Sequence, residues 1–242
     1  MCTVSWAKRP NGYSLFFNRD ESRERPAGLP PGIDTIDNTQ FVCPRDPVGG
    51  GTWLLVNEHG LSLGLLNYYE AQVDYQPKNP QSRGQLPIQL AVCKNLAQVE
   101  AILFELDLSP YPPFHLLSVD PKATASLITW DGKLRSIQKP DIEDLPISTS
   151  SFKTSEVLQS RRTLFRETTL PNLGSDAEME RFHSQRKPAP DTHAVLMTRR
   201  DAKTVSVSQI NVTDSKASFI YRARPTDSEA LEQPVTQTID LS

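Results

Sequence analysis

The chain is expected to adopt an α+β fold, in which antiparallel sheets and helices occupy separate layers. Its strand-like segments come in groups, and these groups are separated by helical stretches. A doubly wound parallel sheet would instead alternate single strands with single helices, because each parallel connection uses a helix. The length of 242 residues is enough to bury one core, so we expect a single domain over residues 1–242.

The composition excludes several classes of partner. With 26 basic and 29 acidic residues the net charge is −3, so no overall positive field attracts the protein to nucleic acid. No stretch approaches the ~18 apolar residues of a membrane span. The charged segment Lys8-Arg9-Pro10 also interrupts the N-terminus before a signal-like apolar region develops. These features predict a cytoplasmic protein without an integral membrane segment.

Cysteine and histidine usage gives no indication of a metal or disulfide framework. The three cysteines, Cys2, Cys43 and Cys93, lack metal-type spacing, which is typical of a reducing compartment. None of the four histidines pairs with another at metal-binding spacing, and no phosphate-binding glycine motif is present. We therefore expect no cofactor and no metal, and the sequence leaves the oligomeric state unknown.

A β-hairpin is predicted at the N-terminus. Thr3–Ala7 alternates polar and apolar residues, Pro10-Asn11-Gly12 is a turn signal, and Tyr13–Phe17 resembles a second strand. Antiparallel neighbours lie about 5 Å apart. The polar segment Asn18–Glu21, which follows the second strand, is therefore expected beside Cys2.

Cys2 becomes a nucleophile with its own base if Met1 is removed, which a small second residue usually permits. A cysteine thiol titrates near ~8.5 and an α-amino group near ~7.7–8.0, so the amine can accept the thiol proton. A neighbouring cation favours the thiolate, and a carboxylate would hold the amine. Arg19 and Asp20 are the first candidates for these two roles, and Asn18 is a candidate to orient one of them.

A second hairpin is predicted from Thr52–Val56 and Leu61–Asn67, joined by the turn residues Asn57–Gly60. Asn67 ends its return strand, where the side-chain amide is placed to donate to an oxyanion formed by attack of Cys2. Loss of one such donor costs on the order of 3 kcal/mol in an acyl-transfer enzyme. Trp53 and Tyr68 are expected in the core or the wall of a binding pocket.

Long loops rich in proline and glycine are predicted on either side of this hairpin, over residues 22–51 and 69–87. Between Ile88 and Leu108 apolar residues recur at helical intervals, which predicts one helix with a break near Asn95, or two short helices.

The remaining elements alternate between strands and helices. Two further helices are predicted: one has its apolar face from Val157 to Phe165 and is capped by Thr154 or Ser155, and the other runs from a capping box of Ser175 and Glu178 to about Arg186. The predicted strands are Phe114–Val119, Ala123–Trp130, Leu134–Gln138, His193–Thr198, Thr204–Val212 and Ala217–Tyr221.

Several ordered motifs resemble the NRDE family, the transport-and-Golgi-organisation group, and the bacterial-type members are nearest in pattern. The motifs are Met1-Cys2, Asn18-Arg19-Asp20-Glu21, Gly50-Gly51-Thr52-Trp53, Gly64-Leu65-Leu66-Asn67-Tyr68, Arg83-Gly84, Pro113-Phe114-His115-Leu116-Leu117 and residues 199–206. Because they are spread along the chain, the resemblance extends to its end.

This resemblance implies an N-terminal-nucleophile (Ntn) hydrolase-like fold: a four-layer αββα sandwich of two antiparallel sheets flanked by helices. Bile-salt hydrolases and penicillin acylases are similar, and they cleave carbon–nitrogen bonds of non-peptide amides. The resemblance therefore implies a cysteine amidohydrolase that acts on a linear amide through an acyl-enzyme. The alternative is a non-catalytic carrier of a hydrophobic ligand, since haem or acyl-lipid handling has been proposed for eukaryotic members.

The resemblance also bears on individual residues. Asn67 matches an asparagine that stabilises the oxyanion from a similar Gly-Leu-Asn setting in bile-salt hydrolases. The arginine and acid of that pattern are spaced slightly differently, so the acid that pairs with the amine is either Asp20 or Glu21. Many relatives have a Ser-Asn segment where this chain has Ile147–Phe152. Ser150 is then the expected hydroxyl donor in place of an amide.

Overall fold

The protein consists of two antiparallel sheets and a small number of helices. The computed structural model describes residues 2–71, 75–77, 79–186, 191–225 and 227–242. Its strands are β1 Cys2–Arg9, β2 Gly12–Ser22, β3 Leu29–Ile36, β4 Thr39–Arg45, β5 Leu54–Asn57, β6 Ser62–Asn67, β7 Phe114–Val119, β8 Ala125–Trp130, β9 Arg135–Gln138, β10 Ile147–Thr149, β11 Ala202–Val212, β12 Lys216–Ala223 and β13 Val235–Asp240. The α-helices are α1 Gln85–Gln89, α2 Leu96–Glu105, α3 Thr154–Thr168 and α4 Asp176–His183.

The strands form a six-stranded sheet in the order β10-β1-β2-β11-β12-β13 and a seven-stranded sheet in the order β3-β4-β5-β6-β7-β8-β9. Every neighbouring pair is antiparallel. None of the described helices is long and apolar enough to cross a membrane. The two antiparallel sheets and the separate helices confirm the predicted α+β class and its layered arrangement.

Two clusters of apolar side chains hold the sheets and helices together. Phe17, Val56 and Leu117 are fully buried in one cluster, which includes side chains from both sheets. Phe165 of α3 and Phe182 of α4 belong to the same cluster and cover the outer face of the six-stranded sheet. A second cluster packs α1 and α2 on the seven-stranded sheet. Each fully buried side chain of this kind contributes about 1.5–3 kcal/mol, so the four layers form a stable support for the sheet ends.

The N-terminal hairpin is confirmed and is longer than the sequence pattern indicated. β1 and β2 pair from Cys2↔Arg19 to Arg9↔Gly12. Gly12 has a φ of 140°, and a Cβ there would lie 2.1 Å from the carbonyl oxygen of Val212, so only glycine fits this turn. The register places the residues after Phe17 next to the start of β1.

The predicted loop over residues 22–51 is wrong, because it contains the β3–β4 hairpin. Its turn is Asp37-Asn38, both with positive φ, and these residue types tolerate the left-handed region. The prolines at positions 30 and 31 lie in β3, which is the edge strand of its sheet. Proline is tolerated at an edge because a missing N–H there breaks no ladder.

The predicted strand His193–Thr198 is also wrong. Only an isolated bridge between Thr198 and Lys203 occurs there, and the segment instead supplies backbone carbonyls to buried side chains, as described below. Besides β3 and β4, two further strands were not predicted: β10, which is three residues long, and β13, in which only Val235 and Ile239 are apolar.

The helix starts differ from the predicted caps. α3 follows Lys153, which has a positive φ and makes no side-chain cap, while the Thr154 hydroxyl donates to the carbonyl of Ser150. Ser175 makes no cap to α4, so the predicted capping box is absent, and this helix ends at His183. The predicted break near Asn95 is confirmed, since Asn95 accepts from Gln98 N and begins α2.

Candidate active site

Cys2 lies at the start of β1, between β2 on one side and β10 on the other. Its Cα pairs with Arg19 and with Thr149. The Cys2 backbone nitrogen donates to the Thr149 hydroxyl oxygen at 3.2 Å. The residue is 8% exposed and lines a cavity of about 290 Å³ at the strand ends. The strand register therefore holds both the nitrogen and the sulfur of this residue in place.

Residues from both hairpins form the walls of this cavity. Arg19 comes from β2, Asn67 ends β6, and Trp53 immediately precedes β5. Arg83, from the segment before α1, completes the wall. The hairpin geometry expected from the sequence thus brings Cys2, Arg19 and Asn67 to one cavity.

The Cys2 thiol is subject to opposing electrostatic effects. Burial raises its pKa, and the negative charge of Asp20 raises it further. The backbone N–H of Asp20 and the Arg19 guanidinium act in the opposite direction. Burial is the largest effect, so the pKa of the thiol lies above its ordinary value. At neutral pH the sulfur is therefore protonated and needs a base to become a nucleophile.

Asp20 belongs to a buried polar network. Its Oδ1 accepts from the Thr204 hydroxyl at 2.6 Å, and its Oδ2 lies 3.5 Å from a guanidinium nitrogen of Arg161. Arg161, on α3, is fully buried and also donates to Thr3 Oγ1 at 2.6 Å and to the carbonyl of Ala194 at 2.7 Å. Burial lowers the pKa of Arg161, and Asp20 opposes that shift. The network fixes Asp20 directly after the residue that pairs with Cys2.

Arg19 stacks on Trp53 and joins a cluster of four charges. Its guanidinium carbon lies 3.9 Å from the centre of the indole ring, a cation–π contact. Arg19 is 3.3 Å from Glu21 and 3.9 Å from Asp46, while Arg25 is 3.6 Å from Glu21 and 2.5 Å from Asp46. Burial opposes ionisation of Asp46, but the hydrogen bond from Arg25 keeps its pKa below the usual value.

The two neighbours Asn67 and Tyr68 face different surroundings. Asn67 Nδ2 donates to the Tyr69 hydroxyl at 2.7 Å, and its side chain lines the cavity. Tyr68 does not line it. Its ring packs on His115, with 4.5 Å between the ring centres, and burial lowers the pKa of His115 to about 4. This part of the site therefore offers one side-chain amide to the cavity.

Asn18 lies away from the cavity, on the helical side of the six-stranded sheet. Its Nδ2 donates to the carbonyls of His183 and Val195, both at 2.9 Å. Its Oδ1 is 2.7 Å from His183 Nδ1. His193 is placed beside Glu156 at 3.8 Å and does not line the cavity. Asn18 therefore joins β2 to α4 and to the segment near residue 195.

Sequence reasoning missed several residues of the site. Arg161 carries the clearest signal, because a charged residue on the apolar face of a predicted helix needs a buried partner. Thr149 belongs to a strand of only three residues, which is too short to show a pattern. Asp46 and Arg83 come from segments without regular structure in the described residues, so their approach to Cys2 depends on the tertiary fold.

The fold is that of Ntn-hydrolase-like proteins. Penicillin V acylase from Agrobacterium tumefaciens superimposes with a TM-score of 0.63 at 12% identity, covering 99% of this chain and 86% of that one. The C2A variant of conjugated bile acid hydrolase from Clostridium perfringens gives 0.62 at 11%, covering 99% and 92%. An N-acylethanolamine-hydrolyzing acid amidase orthologue from Caenorhabditis elegans gives 0.57 at 10%, covering 87% and 92%.

The sequence assigns the family within this fold. Residues 1–224 match the Transport and Golgi organisation 2 family, and the chain belongs to it. Among curated proteins, none matches the sequence significantly. The structural similarities lie at 10–12% identity, so they establish the fold, while activity has to be argued from the site.

Proposed function

We propose that the protein is an N-terminal-nucleophile cysteine amidohydrolase that cleaves a linear, non-peptide amide through an acyl-enzyme. The observation that supports this most is the position of Cys2, whose nitrogen and sulfur are both held at the edge of a cavity that contains an amide donor and arginines. The solved structures of similar fold named above include acylases and amidases.

The first step requires removal of Met1, because the Cys2 nitrogen must be a primary amine to act as a base. That amine takes the proton from the Cys2 sulfur, either directly or through a water. The thiolate then attacks the amide carbonyl carbon, which forms a carbon–sulfur bond and leaves negative charge on the oxygen. The proton transfer is needed because the raised pKa keeps the thiol neutral at rest.

The oxyanion is stabilised by Asn67 Nδ2. This amide carries two N–H groups, of which Tyr69 accepts one, and the other serves the oxyanion. When the tetrahedral species collapses, the carbon–nitrogen bond breaks and the α-ammonium group of Cys2 returns its proton to the leaving nitrogen. Water then attacks the thioester carbon while the amine accepts a proton from the water. The carbon–sulfur bond breaks, which releases the carboxylic acid and restores the Cys2 sulfur.

The surrounding residues position these groups. Thr149 Oγ1 accepts from the Cys2 nitrogen and so orients the base. Arg19 lowers the pKa of the thiol and is itself held by Trp53. Asp20, fixed by Arg161 and Thr204, presents its backbone N–H to the sulfur. Each role follows from a contact that exists before substrate binds.

Intact mass and covalent labelling test this proposal. The purified protein is expected to lack the mass of one methionine residue, and an electrophilic acyl probe is expected to label Cys2. A Cys2→Ala variant should lose more than about 10³-fold in amide hydrolysis, since loss of a nucleophile has effects of that order or larger. Labelled peptides identified by mass spectrometry locate the modified thiol.

A Cys43→Ala variant serves as the matched control, because this thiol is buried among apolar residues and burial raises its pKa to about 11. It should keep both labelling and turnover. Retained Met1, or equal labelling of Cys2 and Cys43, would contradict the proposal. Binding of haem or an acyl lipid that survives Cys2→Ala, without hydrolysis of any amide, would instead identify a carrier.

A further inference from the structure

Arg83 is an arginine of the Cys2 cavity that the proposed mechanism does not use. Its side chain is half-buried in the cavity wall. One guanidinium nitrogen, Nη1, donates to the carbonyl of Pro113 at 2.9 Å. A guanidinium has five N–H donors, so this contact leaves most of its donor capacity for a ligand in the cavity.

The charges around the cavity balance without Arg83. Arg19 and Arg25 form ion pairs with Glu21 and Asp46. Asp20, the remaining carboxylate of the wall, pairs with Arg161 behind it. Within the described part of the chain, no carboxylate forms an ion pair with Arg83. The cavity therefore carries one positive charge without a matching negative group among these residues.

The backbone around Arg83 is held close to the strands that carry the site. Thr52 N donates to the Gly84 carbonyl at 2.9 Å, and Leu86 N donates to the Arg83 carbonyl at 3.0 Å. A Cβ on Gly51 would lie 2.3 Å from Gly84 backbone atoms, so this close approach requires glycine at position 51. Arg83 thus projects from a fixed point beside the start of β5.

We infer that Arg83 binds a carboxylate of the substrate, so that the site takes amides carrying one carboxylate group near the scissile bond. This inference rests on the function proposed above. A planar guanidinium matches a carboxylate with two parallel hydrogen bonds. A single negative charge balances the single unmatched cation, whereas a doubly charged phosphate would leave excess negative charge next to the Cys2 thiolate.

The electrostatics of Arg83 agree with this inference. Burial lowers the pKa of its guanidinium, while negative charge on Cys2 acts in the opposite direction. Arg83 and Cys2 line the same cavity. A carboxylate bound at Arg83 would lie within the same cavity as the carbonyl under attack, which places the charged group on a part of the substrate near the amide.

Two matched pairs of amides test the inference and locate the carboxylate. N-octanoylglycine and N-octanoylglycinamide differ by a charge on the amine side, while N-octylsuccinamic acid and N-octylbutanamide differ by a charge on the acyl side. The anionic member of one pair is expected to have the higher kcat/KM. Arg83→Met should lower kcat/KM for that member by about 10- to 100-fold and leave its neutral partner within about twofold.

Arg83→Lys keeps the charge without the paired geometry, so it should give an intermediate loss. Arg181→Met, at an exposed arginine of α4 that pairs with Glu178, is the control and should change neither pair. The same four amides are titrated by calorimetry into the Cys2→Ala protein and into Cys2→Ala/Arg83→Met. Tighter binding of one anion, lost with Arg83→Met, supports the inference without any turnover.

The two proposals fail in different ways. If no amide is hydrolysed but Arg83-dependent binding of an anionic amide persists in the Cys2→Ala protein, the substrate inference stands and the enzymatic proposal fails. If amides are hydrolysed without preference for the anionic member, the assignment of Arg83 is overturned and the hydrolase proposal stands. Absence of measurable binding for both anionic amides also overturns it.

Discussion

The Cys2 thiol receives opposite influences from two successive residues of β2. Arg19 favours the thiolate through its positive charge, whereas the carboxylate of Asp20 disfavours it. The backbone N–H of Asp20 nevertheless supports the thiolate. Although the Asp20 N–H has the larger effect, Arg19 also opposes the burial that disfavours charge at the sulfur. Its contact with Trp53 holds it in this position.

Replacing Arg19 should slow alkylation of Cys2 at a given pH. Arg19→Gln removes the cation that lowers the pKa of the thiol, so the thiolate fraction falls and the rate is expected to drop by about two- to tenfold. Peptide-resolved iodoacetamide kinetics between pH 7 and 10 measure this. Arg19→Lys, which keeps a positive charge, should stay near the original rate. Equal rates for the glutamine and original proteins would contradict the assigned influence.

The residues near Cys2 divide into those with a local sequence signal and those without one. Cys2, Arg19 and Asn67 could be placed together from two hairpins, because strand pairing converts spacing along the chain into proximity. Thr149, which contacts the Cys2 nitrogen, and Arg83, which lines the cavity, could not, since both come from distant segments without a periodic pattern. Trp53 was expected as core or wall, and it does line the cavity.

The ion pair of Asp20 and Arg161 joins two elements, β2 and α3, that are far apart in the sequence. Both side chains are almost completely buried. Burying charges is costly, so removal of one partner leaves the other uncompensated. The pair therefore fixes the position of α3 against the sheet at the point where β2 passes Cys2.

A double-mutant cycle should reveal this coupling. Asp20→Asn and Arg161→Met are each expected to lower the free energy of unfolding by about 3–5 kcal/mol, because each leaves a buried charge without its partner. The double variant should lose much less than the sum of the two. Urea unfolding with an unchanged m-value measures all three. Strict additivity would show that the two residues do not interact.

Among the elements, the sequence indicated those with strong periodicity and missed those with mixed signals. Hairpin β1–β2 has alternating residues, hairpin β5–β6 has apolar runs, and both have clear turns, so the sequence predicts both. The prolines and the glycine of β3 predict a loop and outweigh the alternation from Ile33 onward, so the sequence does not indicate hairpin β3–β4. The apolar residues of segment 193–198 predict a strand, but they are buried without belonging to a sheet ladder.

At the scale of the whole molecule, a buried polar contact links the α3–α4 layer to the six-stranded sheet. His183 of α4 stacks on Phe16, with 5.4 Å between the ring centres. Because Asn18 uses its Nδ2 to donate to carbonyls, its Oδ1 accepts from His183 Nδ1. His183 Nε2 then accepts from the Ser5 hydroxyl, 2.7 Å away. Both ring nitrogens are satisfied in the neutral form.

The layer contact of His183 predicts a loss of stability in acid. Burial, followed by the charge of Arg161, lowers the pKa of His183 to about 3, whereas an unfolded histidine has a pKa near ~6.5. Between these values the unfolded chain binds more protons than the folded one, so the stability is present above about pH 6.5 and declines as the pH falls towards 3. From pH 8 to pH 5 this single group should remove about 2 kcal/mol.

Urea unfolding at pH 8, 6.5 and 5 measures this decline. A His183→Gln variant keeps a donor and an acceptor for Asn18 and Ser5 but cannot titrate, so its decline should be smaller by about 2 kcal/mol. His115, whose pKa is lowered to about 4 by burial, titrates in both proteins and cancels in the difference. Phe219→Leu, at a fully buried position of the same apolar cluster, is a control that should change stability without changing the pH dependence. If His183→Gln and the original protein lose stability in parallel, then His183 takes up its proton in the folded state, and its contact with Ser5 and Asn18 does not require the neutral ring.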